Sequence, residues 1–119
     1  MEGKEKGDMK KVLVVGSLNM DMVLSVDHHP VPGETIIGDG ITYHPGGKGA
    51  NQAYAVGKLG GDVRIIGCVG WDNNGMILTE NLAQAGVDTT AINRMPEAPT
   101  GMAIIDVDKK GDNSIIVIS

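Results

Sequence analysis

Asn19 and Asp21 stand two residues apart, just beyond the apolar run Val12-Leu13-Val14-Val15 and the pair Gly16-Ser17. In extended chain, residues i and i+2 project to the same side, so an amide and a carboxylate would face one ligand. A carboxylate accepts hydrogen bonds, whereas an amide both donates and accepts. The combination suits a polyhydroxylated molecule. An Asx-turn or a helix cap is the other reading of such a pair.

The second group is Gly46-Gly47-Lys48-Gly49-Ala50-Asn51-Gln52. Glycines let backbone approach a ligand closely, and Lys48 and Asn51 add a cation and an amide. At the start of a helix, unsatisfied N–H groups and the positive end of the helix dipole favour oxygen-rich or anionic ligands. Two familiar phosphate loops are excluded. A P-loop needs Ser or Thr after Gly-Lys and a further Gly where Thr42 stands, and the dinucleotide fingerprint needs Gly-x-Gly-x-x-Gly directly after the first strand. By themselves the glycines are equally compatible with a structural turn.

Certain elements must position these groups. The aliphatic run predicts a first strand over Lys11 to Val15, covered on both faces as in a parallel α/β sheet. In such sheets, ligands gather at the carboxyl ends of strands. Tyr43-His44-Pro45 ends an extended segment. Ala50, Ala53, Tyr54, Val56, Gly57 and Leu59 have helical spacing, and Gly60-Gly61 follow, which predicts a helix from Lys48 to Leu59. Residues 22–43 read as irregular and partly extended, with turns at Pro30, Pro32-Gly33 and Asp39-Gly40. The last predicts a hairpin between Ile36-Ile37 and Ile41-Thr42. A strand around Val63 to Val69 and a helix around Gly75 to Ala85 follow, with Asp72, Asn73 and Asn74 as turn and cap residues.

Four ordered motifs, Gly16-Ser17-x-Asn19-x-Asp21, Pro32-Gly33-Glu34-Thr35, Gly46-Gly47-Lys48-Gly49-Ala50-Asn51-Gln52-Ala53 and Gly67-x-Val69-Gly70-x-Asp72-x-x-Gly75, together resemble the amino-terminal half of the ribokinase-like PfkB carbohydrate kinases. The resemblance runs from about Lys11 to the chain end. It implies a ribokinase-like α/β fold, with a central, largely parallel sheet flanked by helices and a small β lid, here truncated. Residues 1–10 are expected to form a disordered tail and 11–119 the amino-terminal part of the domain. The lid segments are expected at about 22–43 and 100–118, with Lys109-Lys110-Gly111-Asp112 joining the last two strands.

Carried over by position, the resemblance implies that Asn19 and Asp21 bind sugar hydroxyls, that Gly46 and Gly47 lie against the sugar, and that Lys48 and Asn51 add polar contacts. Ala103 and Ile105, in the returning segment Thr100-Gly101-Met102-Ala103-Ile104-Ile105, would close one wall, although alternation there is also what any half-buried strand shows. The implied activity of the complete protein is ATP-dependent phosphorylation of ribose to ribose 5-phosphate. The alternatives are a kinase of another sugar or nucleoside, such as fructose or adenosine, and a non-catalytic sugar-binding fragment. No catalytic residue is assigned, because the family's Gly-Ala-Gly-Asp and Asn-x-x-Glu motifs do not occur by Ser119. The 119-residue chain is therefore expected to be inactive alone. ATP and Mg are implied for the complete enzyme, with a monovalent cation left open, and none is expected to bind well here. The family also implies a homodimer paired through the lids, for which Ile36, Ile37, Ile41 and Ile104 are the expected apolar surface.

Composition sets outer bounds. A net charge of −5 without a basic stripe, and 3% aromatic residues, argue against a nucleic-acid partner. No apolar segment reaches the roughly 20 residues that a bilayer requires, so no membrane partner is expected and the cytoplasm is the expected location. Met1 to Asp8 lacks the apolar core of a signal peptide and reads as a solvated tail. Cys68, the single cysteine, falls in an apolar strand-like run and is expected to be a buried, inert thiol. His28, His29 and His44 lack zinc-like spacing, and no metal site is assigned.

Overall fold

The computed structural model describes residues 10–119, so all but the last residue of the tail expected over residues 1–10 lies outside the described residues. The elements in chain order are β1 (Lys11–Val15), β2 (Asn19–Ser25), β3 (Gly40–Gly46), α1 (Lys48–Lys58), β4 (Asp62–Gly70), α2 (Asn73–Gln84), β5 (Ile92–Met95), β6 (Gly101–Val107) and β7 (Asn113–Ile118). They build two sheets. One is parallel, in the order β1-β4-β5, and the other is mixed, in the order β3-β2-β6-β7.

Local chemistry explains most of the boundaries. Helix α1 starts at Gly47, whose φ of 99° only glycine adopts readily, and Gly60 at φ 85° follows its last turn. The Asp72 side chain caps α2 by accepting from the Gly75 N–H at 2.8 Å. Pro32-Gly33 forms a tight turn, with the Glu34 N–H bonded to the Val31 carbonyl at 2.9 Å and Gly33 at φ 84°. Residues 108–111 turn β6 into β7, and the Gly111 N–H donates to the Asp108 carbonyl at 3.0 Å. No helix among the described residues is long and apolar enough to cross a membrane.

The core lies between the parallel sheet and the two helices. Ile65, Leu78, Leu82 and Val63 are its largest fully buried side chains, joined by Val14, Leu18, Met20, Ala50, Ala53, Val69 and Val87. Burying one such aliphatic side chain contributes about 1.5–3 kcal/mol. Strand β4 follows period two on this side, with Val63, Ile65 and Val69 inward.

Three expectations need correction. The first strand is not covered on both faces: Leu13 and Val15 are 58% and 72% exposed, on the sheet face away from the buried Val14. Cys68 shares that uncovered face and is exposed rather than buried, because alternation along β4 turns it away from Val69. The hairpin around Asp39-Gly40 does not form either. Ile36 and Ile37 lie in irregular chain, and β3 pairs antiparallel with β2 from Asn19↔Gly46 to Ser25↔Gly40. The seven-residue strand Asn19–Ser25 is a longer partner than Ile36-Ile37, which follow the prolines at 30 and 32. The Asp39 N–H bonds to the Ser25 carbonyl at 2.7 Å, closing the excursion over residues 26–39.

That excursion is also fastened to the β6–β7 turn by Lys109 Nζ to Asp27 Oδ1 at 2.6 Å and His29 Nε2 to Asp108 Oδ2 at 3.5 Å. His28 lies between Asp27 and Glu34, at 3.0 and 2.8 Å. Those hydrogen bonds, Asp27's first, raise its pKa above the usual histidine value.

Candidate functional site

The two motifs that open the chain's chemistry meet. Gly16, at the end of β1, packs backbone to backbone against Gly49 in the first turn of α1, and a Cβ on Gly49 would lie 2.7 Å from Gly16 Cα. The Ala50 N–H donates to the Ser17 carbonyl at 3.1 Å, which ties the helix to the β1–β2 connection. Of the first four N–H groups of α1, Ala50 and Asn51 have these or Gly47 as partners, whereas those of Lys48 and Gly49 have no backbone partner among the described residues.

Strand register then places the polar pair. Asn19 is opposite Gly46 on one side and Gly101 on the other, and Asp21 is opposite His44 and Ala103. Cross-strand partners share a sheet face, so Asn19, Asp21, Gly46, Ala103 and Ile105 line one face of the mixed sheet. Ile105 stands one step farther along, opposite Val23. Met20, on the other face, is 3% exposed in the core and anchors the strand. The glycines make room: a Cβ on Gly46 would lie 2.5 Å from Asp21 Oδ2, and one on Gly101 would lie 2.7 Å from Asn19 Oδ1.

The side chains of Asn19, Asp21 and Lys48 make no hydrogen bond or ion pair with other described residues. A cavity of about 580 Å³ opens beside Asn19, between Gly16-Ser17, Gly101, and the uncovered sheet face at Ile66, Cys68 and Met95. Of the expected sugar contacts, Asn19 alone lines it; Asp21, Gly46, Gly47, Lys48, Asn51, Ala103 and Ile105 do not. Asn51 lines a separate cavity of about 260 Å³ with His44, Tyr54 and Asn81. Lys48 is exposed at the helix start.

Gly101 escaped the sequence reading as a site residue. Its place opposite Asn19 follows from β2–β6 pairing across about eighty intervening residues, for which no local signal exists. Asp72 was legible as a cap, but its second set of partners was not. Its Oδ2 accepts from the Thr100 N–H at 2.8 Å, and its Oδ1 accepts from the Thr100 hydroxyl at 2.6 Å. These bonds, the hydroxyl's first, hold its carboxyl below the ordinary aspartate range.

Residues 9–119 match the family described as pfkB family carbohydrate kinase. The chain is 46% identical over 112 residues to the ribokinase of Haemophilus influenzae, covering 93% of this chain and 37% of that protein. It is 42% identical over 110 residues to the ribokinase of Bacillus subtilis, covering 92% and 37%. The structure of Arabidopsis thaliana ribokinase complexed with ribose and ATP superposes with a TM-score of 0.85 at 34% identity, covering 92% of this chain and 36% of that one. The chain thus spans little more than a third of the length of the relatives it matches.

Proposed function

Since the chain belongs to the pfkB family of carbohydrate kinases, we propose that it supplies the sugar-binding surface and lid of an ATP-dependent kinase that converts ribose to ribose 5-phosphate. The observation that carries this reading is the convergence of Asn19 and Asp21 with the glycine-lined start of α1, all with unspent hydrogen-bonding capacity. Asp21 accepts from two sugar hydroxyls, Asn19 donates and accepts, and Gly46 and Gly101 leave the space in which those two side chains lie. The positive helix end and Lys48 face the sugar oxygens.

Phosphoryl transfer depends mainly on positioning and on stabilising charge. This chain contributes positioning, and no residue in it is assigned to take the proton of the reacting hydroxyl. Among the described residues, no group of three or more His, Cys, Asp or Glu is arranged to hold a metal ion. ATP and magnesium belong to the proposal for the complete protein, where one or two carboxylates and the nucleotide phosphates commonly hold the ion.

Titration calorimetry of the 119-residue chain with ribose is expected to show saturable binding at one site, weaker for fructose and adenosine. Absence of heat with ribose would remove the assignment, and tighter binding of fructose or adenosine would move it to another substrate of the family. A coupled kinase assay of the complete protein with the same three compounds gives the independent check.

The lid also supports self-association. Ile41 and Ile104 share a sheet face with Tyr43, Ile116 and Ile118, of which Ile41, Tyr43, Ile116 and Ile118 are 50–63% exposed. Ile36 and Ile37 lie outside that sheet, so the expected surface reduces to the strand residues. Light scattering is expected to give a dimer mass for the native chain and a monomer mass for Ile41→Asp. A dimer retained in that variant counts against a lid interface.

A further inference from the structure

Thr100 is the one buried polar residue among those described, at 4% exposure, and both its hydroxyl and its N–H are directed at the β4–α2 turn. Its hydroxyl donates to Asp72 Oδ1 at 2.6 Å and accepts from the Gly70 N–H at 2.8 Å, and its own N–H donates to Asp72 Oδ2 at 2.8 Å. Asp72 Oδ1 also accepts from the Gly75 N–H at 2.8 Å. The knot is enclosed: a Cβ on Gly70 would lie 2.5 Å from Thr100 N, and one on Gly75 would lie 3.0 Å from Thr100 Oγ1.

We propose that Asp72, acting through Thr100, is a positioning residue for the sugar site, fixing where β6 begins and thereby holding Gly101 against the Asn19 carboxamide. The connection is covalent and short. Thr100 precedes Gly101, and Gly101 is in register with Asn19, close enough that a Cβ on it would lie 2.7 Å from Asn19 Oδ1. The knot joins the parallel sheet, through the end of β4, to the mixed sheet that carries Asn19 and Asp21. Displacing Thr100 therefore alters the space available to the Asn19 side chain, although Asp72 itself touches no assigned sugar contact.

The chemistry demands a carboxylate. All three groups aimed at Asp72 are donors, and an ionised carboxylate only accepts. Asn in its place sets an NH2 against at least one backbone N–H, leaving that donor unpaired in a part-buried site. Thr100→Val removes the hydroxyl while leaving the Asp72–Gly75 cap intact, and Thr100→Ser restores the hydroxyl.

The inference rests on the sugar-binding reading of Asn19, and its test separates the two. In assigned NMR spectra of the full 119-residue chain, the Asn19 side-chain NH2 and Gly101 N–H signals are expected to move in D72N and T100V and to stay at their native positions in T100S. Ribose affinity is expected to fall at least tenfold in the first two and to stay within twofold in the third. Asn19 and Gly101 signals at native positions in folded D72N or T100V overturn the proposal, as does unchanged affinity with only a lowered melting temperature. Should D72N fail to fold, T100V, with the helix cap preserved, decides the matter. If the native chain takes no ribose, the sugar reading falls, and the NMR comparison alone still decides whether Asp72 holds Gly101 in place.

Discussion

Gly47→Ala is expected to lower the thermal unfolding midpoint by about 15 °C, from a loss of about 4 kcal/mol. Two effects add. At φ 99° and ψ 132°, Gly47 occupies a region that side chains avoid, at a cost of about 1–3 kcal/mol. A Cβ there would also overlap the Ser17 carbonyl and lie 3.0 Å from Leu18 Cα. Both are backbone of the β1–β2 connection, which cannot swing aside as a side-chain tip would. Relief requires α1 to part from Ser17, at the expense of the Ala50–Ser17 hydrogen bond. Gly60→Ala provides the internal comparison: its φ of 85° is similarly strained, but no atom lies within 4 Å of the added methyl. That variant is expected to lose only about 1 kcal/mol. Calorimetric scans of both settle the point, and equal losses at the two positions would show that steric closure of the site plays no part.

Asp21→Asn is expected to weaken ribose binding by about 10–100-fold, since hydrogen bonds to a charged group contribute about 1.5–3 kcal/mol and each 1.4 kcal/mol is tenfold. The substitution preserves shape where shape matters, because a Cβ on Gly46 would lie 2.5 Å from one Asp21 oxygen and 2.6 Å from the other. It removes the charge and turns an acceptor into a donor. Stability is expected to stay within about 0.5 kcal/mol, the usual range for surface changes that break no internal contact, because Asp21 has no internal partner to lose. Calorimetry for affinity and thermal melting for stability, on the same preparation, measure the two separately. Affinity retained within twofold would remove Asp21 from the sugar site, and a large loss of stability would instead make it a structural residue.

Local signals in the sequence determined a great deal here. The helix at Lys48, its glycine-rich start, the Gly60 exit, the Asp72 cap and the turns at Pro32-Gly33 and Gly111 all depend on dihedral freedom or on hydrogen bonds within a few residues. The same is true of the spacing of Asn19 and Asp21, and the four motifs in order made the family legible. Strand pairing was another matter. Whether Ile36-Ile37 or Asn19–Ser25 partners β3, and which residue of β6 stands opposite Asn19, depends on contacts between distant segments, for which the local sequence carries no marker. The same applies to Cys68 and the first strand: an apolar run reports that a strand is there, not which of its faces another layer covers. Gly101 and the Asp72–Thr100 knot became visible only once β6 was seated beside β2. Tertiary packing decided them because a glycine records that space was needed, while the atom that needs the space comes from elsewhere in the chain.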